Sequence, residues 1–203
     1  DAVDKYGYPL VIKPIDGNHG KGNTTNITTW EQALTAFAAA KNYSRSVIVE
    51  RFITGYDFRI LVINYKFICA ALRTPASVIG DGKNTIQYLI DETNKDPRRG
   101  YGHEKVLTQI TIDQFTQKML DEKGYSLETV PTKGELVLLK PTANLSTGGT
   151  STDVTDEVHP ANIFMCERIA KIIGLDICGI DIMATDLRTP VTENGGAILE
   201  VNA

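Results

Sequence analysis

The sequence contains few cysteines, and they are isolated from one another. Cys69, Cys166 and Cys178 form no CxxC pair and no even-numbered framework. This pattern argues against a disulfide scaffold and a cysteine metal site. It favours a reducing compartment and buried apolar roles for the three thiols.

The sequence also lacks an excess of positive charge and a long apolar run. The formal net charge is -4 with a pI near 5.4, and no basic stripe or run of like charges occurs. The charge therefore predicts neither a nucleic-acid partner nor a membrane partner. No apolar stretch is as long as a membrane span, and no secretory leader is visible, so we expect a cytoplasmic protein.

What is present is an ordinary globular composition of 203 residues, 42% hydrophobic and 23% charged. A chain of this size can bury a substantial core, so we expect one domain with two lobes. The chain starts at Asp1 without a methionine and stops one residue after the strand-like AILEVN, which indicates a fragment of a longer protein. We assign a small lobe to 1–52, a larger lobe to 53–203, and an insertion in the larger lobe to about 76–134.

The periodicity of apolar residues predicts strands and helices in runs, without regular β-α-β alternation. This arrangement favours an α+β fold over a doubly wound sheet. Two predicted strands within 57–73 form a hairpin that is expected to turn at Asn64-Tyr65-Lys66. Tyr65 is an awkward residue there if the turn demands a positive φ. The predicted strands are 9–13, 46–53, two around the hairpin within 57–73, 135–140, 177–184 and 197–202; the predicted helices are 30–41, 85–95, 113–123 and 157–173.

The stretch KPIDGNHGKGN, at positions 13–23, places a lysine beside three closely spaced glycines. Glycines let backbone N–H groups converge on an anion, and the lysine adds a full charge, so phosphate suits the stretch best. Gly20-Lys21-Gly22 lacks the Ser or Thr of a P-loop, and the spacing is not GxGxxG. A plain surface turn is the alternative, and His19 either contacts phosphate or is solvated.

Two other segments supply complementary chemistry. Glu200 and Asn202 are two apart on one strand, and Asp181 lies on another strand, so their oxygens suit Mg²⁺. The alternative is the polar alternation of a half-buried strand. In VIVERFITGYD, the connection from Glu50 to Asp57 could carry a purine against its backbone, with an acid beyond it on the ribose hydroxyls. An ordinary interlobe linker with a salt-bridging pair is the alternative there.

In this order, VIKP, the glycine loop, ERFITGYD, GIDIM and ILEVN resemble the motifs of the ATP-grasp fold over essentially the whole chain. KPIDGNHGKG, RTPASVIGDGKNTI, NKDPRRGYGHE and TANLSTGGTSTDVTDEVHP resemble more closely the ATP-grasp module of the cyanophycin synthetases. The nearest alternative is the ATP-grasp half of bifunctional glutathione synthetases, which is similar at VIGDG and STGG. The resemblance implies two α+β lobes with antiparallel sheets that clasp ATP, plus an inserted helical lid segment.

The resemblance also implies an ADP-forming ligase that joins a carboxylate to an amine through an acyl phosphate, using ATP and two Mg²⁺ ions. It implies that Lys13 binds the α- and β-phosphates, that the loop closes over the rest, and that Glu50 to Ile53 hold adenine with Asp57 on the ribose. The implied ATP-binding residues are Lys13, Asp16, Gly17, Asn18, His19, Gly20, Gly22, Glu50, Arg51, Phe52, Ile53 and Asp57. The implied metal ligands are Asp181, Glu200 and Asn202.

By the same resemblance, Arg59 and Arg73 match arginines near the transferred phosphoryl group and the acceptor carboxylate. For Arg73 a structural ion pair is the alternative. The loop ANLSTGG would admit backbone donors to the acceptor carboxylate, which nominates Asn144, Ser146, Gly148 and Gly149. A tight turn between a strand and a helix is the alternative for that loop.

The implied reaction adds L-aspartate to the C-terminus of an acidic poly-aspartate primer that carries arginine on its side chains, in a homo-oligomeric full-length protein. Arg98, Arg99 and Lys105 could then meet the acidic polymer, although a solvated charged surface is the more common explanation of such a cluster. Three alternatives stay open: the glutathione synthetase module, a synthetase that polymerises β-aspartyl-arginine dipeptides, and a module that binds nucleotide without ligating.

Overall fold

The computed structural model describes residues 2–16, 21–102 and 104–203. These residues form two compact units, divided in the chain between Thr54 and Gly55. Each unit builds its own antiparallel sheet around its own apolar cluster. The predicted α+β class is confirmed.

The first unit is a three-stranded antiparallel sheet with one long helix packed on it. Its strands are β1 (Leu10–Pro14), β2 (Thr24–Ile27) and β3 (Val47–Arg51), in the order β2-β1-β3. Helix α1 (Ala2–Tyr6) precedes β1, and helix α2 (Trp30–Lys41) connects β2 to β3. The predicted strand at 9–13 and the predicted helix at 30–41 are confirmed.

Helix α2 is capped by Thr29, whose side chain accepts a hydrogen bond from the Gln32 N–H; the Gln32 side chain in turn accepts one from the Thr28 N–H. This reciprocal cap follows from a threonine with Gln three residues later. The helix meets the sheet through small side chains, which leaves its large apolar residues outside. The buried members of the cluster are Leu10, Ile12, Ile27, Ala33, Ala36 and Ala40, whereas Trp30, Leu34 and Phe37 are exposed.

The second unit contains a five-stranded antiparallel sheet in the order β10-β5-β4-β11-β12. Helix α5 (Pro160–Ile173) packs on one face and ends at Gly174 in the left-handed conformation. Within the described residues, no helix is both long and apolar enough to cross a bilayer. The five strands are β4 (Tyr56–Ile63), β5 (Lys66–Thr74), β10 (Thr150–Asp153), β11 (Ile177–Ala184) and β12 (Ala197–Asn202).

Side chains alternate between the two faces of this sheet, as the strand geometry requires. Ile60 of β4 and Ile180 of β11 are buried in the core beneath α5. The neighbours Arg59 and Asp181 therefore belong to the opposite face. Because the alternation is strict over both strands, the positions that carry charge are already separated from the core by the sequence pattern.

The hairpin between β4 and β5 turns at Asn64 and Tyr65, both of which have positive φ, 52° and 60°. This is the combination that a two-residue type I′ turn needs. Tyr65 tolerates the strain because its ring packs against the core cluster of the sheet. The predicted hairpin is confirmed, including its awkward tyrosine.

A separate apolar cluster lies between β5 and β10 in the chain. The segment starts at β6, which pairs antiparallel with β9, so the segment returns to the point where it left the sheet. The predicted helices at 85–95 and 113–123 are confirmed as α3 and α4. The elements are β6 (Ser77–Ile79), α3 (Ile86–Asn94), β7 (Arg99–Gly100), β8 (Leu107–Thr108), α4 (Gln114–Asp121) and β9 (Leu136–Leu138). The fully buried members of their cluster include Val78, Ile86, Ile90, Leu120 and Val137.

Candidate active site

In the first unit, the open face of the sheet carries an ion pair between Lys13 and Glu50. Leu10 and Ile12 of β1 point into the core, so Lys13 projects from the other face. Its Nζ lies 2.7 Å from Glu50 Oε2 on β3, and both side chains are about one-third to one-half exposed, 35% and 45%. An ammonium group held at this exposure can exchange its carboxylate partner for a phosphate.

The glycine-rich loop beside Lys13 is described only at its two ends. The Asp16 carboxylate accepts a hydrogen bond from Ser44 Oγ at 2.7 Å. Gly22 has φ 72°, and a Cβ there would lie 2.6 Å from the ring of Tyr43, so only glycine fits. The predicted site residues Gly17, Asn18, His19 and Gly20 lie outside the described residues.

The end of β3 carries the segment nominated for adenine. Glu50 and Arg51 are exposed, and Phe52 and Ile53 are half-buried. The Phe52 N–H donates to the Pro9 carbonyl at 2.9 Å, which fixes the main chain at this point. Within the part of the chain that the structure describes, the Ile53 main chain makes no hydrogen bond. Its N–H and C=O are therefore free to meet the polar edge of a base.

In the second unit, three charged side chains lie in one row across three strands. Asp181 on β11 is directly opposite Arg59 on β4 and directly opposite Glu200 on β12. Arg59 Nη2 donates to Asp181 Oδ2 at 3.1 Å, and Arg59 Nε contacts Asp181 Oδ1. The register of the sheet, rather than any local motif, creates this row.

A second row is occupied by Asp57 on β4 and Arg73 on β5, which are also directly opposite each other. Arg73 donates to Asp57 Oδ1 from Nη2 at 2.6 Å and from Nε at 3.0 Å. Arg73 Nη2 also lies 3.2 Å from Asp181 Oδ1, so it joins the two rows. Asp57, which the sequence nominated as the ribose ligand, is thus held in an ion pair with Arg73. Both nominated arginines contact Asp181.

The electrostatics of this cluster balance burial against opposite charge. Burial raises the pKa of Asp181, and the positive charges of Arg73 and Arg59 act against that rise. Burial would lower the pKa of Arg73, but its hydrogen bond to Asp57 and the charge of Asp57 outweigh burial and raise it. The raised pKa keeps Arg73 cationic.

The nominated metal ligands lie together, and their donor atoms fit magnesium. Asn202 Nδ2 donates to Glu200 Oε1 at 2.8 Å and lies 3.5 Å from Asp181 Oδ2. Two carboxylates and an amide are the oxygen donors that this hard ion takes. Asp181 Oδ2 accepts hydrogen bonds from Arg59 and Asn202, and Oδ1 lies in ion-pair contact with Arg59 and Arg73. Asp181 can therefore ligate a metal only after one of these groups moves.

The loop that contains Asn144 and Ser146 is a tight turn built on the two nominated glycines. The N–H groups of Gly148 and Gly149 donate within the turn, to Leu145 O and Asn144 O, at 3.2 Å each. A Cβ on Gly149 would lie 2.8 Å from the carbonyl oxygens of Asn144 and Thr74. The glycines thus allow close packing of the turn, and the exposed side chains of Asn144 and Ser146 remain the available donors.

The structure corrects one interpretation of the inserted segment. Arg98 pairs with Asp96 at the surface, at 2.7 Å, but Arg99 is buried, with 6% of its area exposed. Arg99 is therefore not part of a solvated charged surface. Its Nη1 donates to Gly148 O at 3.0 Å and to Thr108 O at 2.6 Å. No local signal marks this role, because Gly148 lies 49 residues further along the chain.

Sequence reasoning also missed a buried lysine. Lys140, which is 2% exposed, places its Nζ 2.7 Å from Asp113 Oδ1 and 3.0 Å from Thr116 Oγ1. Asp113 and Thr116 form the capping box of α4. The lysine therefore anchors the start of that helix to the segment that leads into the glycine turn.

No protein-family model matches the chain, but the chain is similar to curated proteins and to solved structures. The chain is 54% identical over 197 residues to a cyanophycin synthetase of Trichormus variabilis, covering 97% of this chain and 22% of that protein. It is 34% identical over 195 residues to a glutathione biosynthesis bifunctional protein of Clostridium perfringens, covering 95% of this chain and 25% of that protein.

Among solved structures, the fold is similar to that of a bifunctional glutathione synthetase from Pasteurella multocida. The TM-score is 0.70 at 32% sequence identity, over 100% of this chain and 28% of that one. The chain therefore spans about a quarter of the length of the relatives it matches.

Proposed function

Because the chain has the ATP-grasp fold and belongs with the matching segment of the cyanophycin synthetases, we propose that it is the ATP-dependent ligase module of a cyanophycin synthetase. The reaction joins the C-terminal carboxylate of a poly-aspartate backbone to the amine of L-aspartate. The observation that supports this most is the charged row of the second unit, where Arg59, Asp181 and Glu200 lie side by side and Arg73 adjoins them.

The chemistry explains why such a row is needed. A carboxylate is a poor electrophile, so one of its oxygens must first become a leaving group. A carboxylate oxygen attacks the γ-phosphorus of ATP, the bond from that phosphorus to the bridging oxygen breaks, and ADP leaves. The amine then attacks the acyl carbon and loses a proton, and inorganic phosphate departs with the electrons of the C–O bond.

Each step develops negative charge that fixed cations can stabilise. In this proposal Arg59 and Arg73 neutralise the moving phosphoryl group and the tetrahedral intermediate. Lys13 holds the α- and β-phosphates, and the main chain at Ile53 meets the adenine edge. Asp181, Glu200 and Asn202 would hold Mg²⁺, which supplies further positive charge at the phosphate oxygens when bound. The glycine turn at 144–149 holds the acceptor.

The proposed acceptor and amino acid follow the resemblance to the cyanophycin synthetases, which match at 54% identity, against 34% for the glutathione protein. Pockets that discriminate between substrates differ by few residues, so a substrate test decides between the two families. The alternatives are γ-glutamylcysteine with glycine, and β-aspartyl-arginine dipeptides.

The test uses the full-length protein with ATP and magnesium, and measures ADP release. A short cyanophycin primer with aspartate, the primer with dipeptide, and γ-glutamylcysteine with glycine are supplied in separate reactions. We expect ADP release and primer extension only with primer plus aspartate. Release with another pair reassigns the substrate, and nucleotide binding without release in any reaction contradicts the ligase proposal in favour of a binding module.

A further inference from the structure

Arg99 is a buried arginine whose side chain makes no salt bridge or hydrogen bond to a carboxylate among the described residues. The nearest acid along the chain, Asp96, pairs with the exposed Arg98 instead. The buried guanidinium uses only Nη1, which donates to two carbonyl oxygens. In the described part of the chain, Nε and Nη2 donate to no acceptor.

This arrangement is costly unless something else compensates it. Carbonyl oxygens satisfy hydrogen bonds but carry no net charge, and a buried charge without a counterion is destabilising. Burial accordingly lowers the pKa of Arg99, and the charge of Asp96 offsets this fall only in part. If Arg99 served only to brace the turn, a neutral donor would do so at lower cost. An anionic ligand that forms an ion pair with the guanidinium would explain why an arginine occupies this position.

The position of Arg99 says where that ligand lies. Nη1 holds the carbonyl of Gly148, within the turn that carries Asn144 and Ser146. Gly148 is itself tightly packed, since a Cβ there would lie 2.8 Å from Ile110 Cγ1, in the stretch that follows β8. The inserted segment and the glycine turn therefore pack closely together, with the Arg99 guanidinium between them.

The chemistry of the turn is complementary. The N–H groups of Thr147, Gly148 and Gly149 donate within the turn, so these donors are not available to a ligand. The Ser146 side chain is exposed, and the side-chain hydrogen bond within the turn is made by Thr147 Oγ1 to Asn144 O instead. The turn thus offers neutral side-chain donors on its surface, while full positive charge comes from Arg99 behind it.

We infer that Arg99 recognises a substrate carboxylate at the glycine turn and sets the specificity of the site for an acidic substrate. The inference rests on the proposed function and names the charge recognition of that same site. Two sources share this chemistry: the terminal carboxylate of the acceptor and a carboxylate of the incoming amino acid. A planar guanidinium with two unused donors suits either through paired hydrogen bonds.

The test compares Arg99→Met and Arg99→Lys with the adjacent control Arg98→Met in the full-length protein. Binding of a short acidic primer is measured with its terminal carboxylate free and amidated, and aspartate is compared with its amides. We expect Arg99→Met to weaken binding of either the free primer or free aspartate by about 10- to 100-fold. Binding of the amidated form of that same ligand should not be weakened by the substitution. Arg99→Lys should fall between, and Arg98→Met should match the unmodified protein.

The pattern of losses separates the outcomes. A loss tied to the primer carboxylate assigns Arg99 to the acceptor, and a loss tied to an aspartate carboxylate assigns it to the incoming amino acid. If Arg99→Met and Arg99→Lys weaken free and amidated forms equally, or change neither, the arginine only braces the turn and the inference is wrong. If the unmodified protein turns over and the Arg99 variants show either of these results, only this inference is contradicted. If the unmodified protein does not turn over, the proposed function is contradicted.

Discussion

Arg73 reaches across β4 to the carboxylate of Asp181: its Nη2 lies 3.2 Å from Oδ1, although the two residues are on strands that do not pair. The same arginine holds Asp57 on the intervening strand, at 2.6 Å. One guanidinium therefore ties two carboxylates on neighbouring strands. The two carboxylates therefore hold the Arg73 guanidinium between them on the polar face of the sheet.

The first prediction separates the structural from the ligating role of the acidic pair. Asp181→Asn removes the charge that Arg59 and Arg73 share, so we expect local opening of β11 to become easier by about 1–3 kcal/mol. Amide hydrogen exchange in β4 and β11 measures this change. Glu200→Gln is the control, because its side chain is exposed and should leave exchange within about 0.5 kcal/mol of the parent protein.

Both substitutions should abolish magnesium-dependent ADP release, because both carboxylates are proposed ligands. The two readouts together are decisive. Equal changes in hydrogen exchange for the two variants would contradict the buried ion-pair network. Full ADP release from either variant would remove that residue from the proposed metal site.

The second prediction concerns Lys13. Lys13→Met removes the ammonium group but keeps the length of the side chain, so we expect ATP affinity to fall by about 10- to 100-fold. The ion pair with Glu50 is half-exposed, so its loss should change local stability by less than about 1 kcal/mol. Equilibrium binding of ATP and hydrogen exchange in β1 check the two parts.

Lys41→Met on helix α2 is the matched control for charge. That lysine is exposed, and its Nζ donates to the Arg45 carbonyl rather than pairing with a carboxylate. It should bind ATP like the parent protein. If Lys13→Met also binds ATP normally, Lys13 is no phosphate ligand, and its ion pair with Glu50 is purely structural.

The third prediction uses the cysteines. Burial and the neighbouring Cys178 raise the pKa of Cys166 to about 12, and burial also raises the pKa of Cys178. Both thiols therefore stay protonated at pH 8, where the thiolate is the species that reacts with alkylating agents. Cys69 is partly exposed. Native protein treated with iodoacetamide at pH 8 should be labelled at Cys69 alone.

Peptide mass mapping reads out the labelled positions. Urea exposes all three thiols and should make labelling uniform, which serves as the internal control. Because Cys166 is buried and its pKa is raised to about 12, its labelling should stay low when the pH is raised from 8 to 9. Rapid labelling of native Cys166 at pH 8 would contradict its burial.

Much of the architecture follows from local pattern. The predicted hairpin at Asn64 and Tyr65 is confirmed, and the cap at Thr29 and the left-handed end of α5 at Gly174 are equally local features. Each depends on residues within one turn of one another, so the sequence carries the whole signal. The likeness to the cyanophycin synthetases is likewise confirmed, because it rests on residues that can be aligned without coordinates.

The contacts of the charged residues could not be obtained in this way. The sequence nominated Asp57 for a ribose and left Arg99 among exposed charges, but the structure pairs Asp57 with Arg73 and buries Arg99 against Gly148. Both contacts depend on which strands are neighbours and on how an inserted segment folds back. Sequence separation carries no information about either.

The sequence by itself determined which residues alternate between core and open face, and hence that Lys13, Arg59 and Asp181 stand on polar faces. The tertiary structure alone decided that Asp181 is shared by two arginines and that Arg99 lies behind the glycine turn. The physical reason is that local geometry sets the direction of a side chain, whereas strand register and the packing of distant segments set its partners.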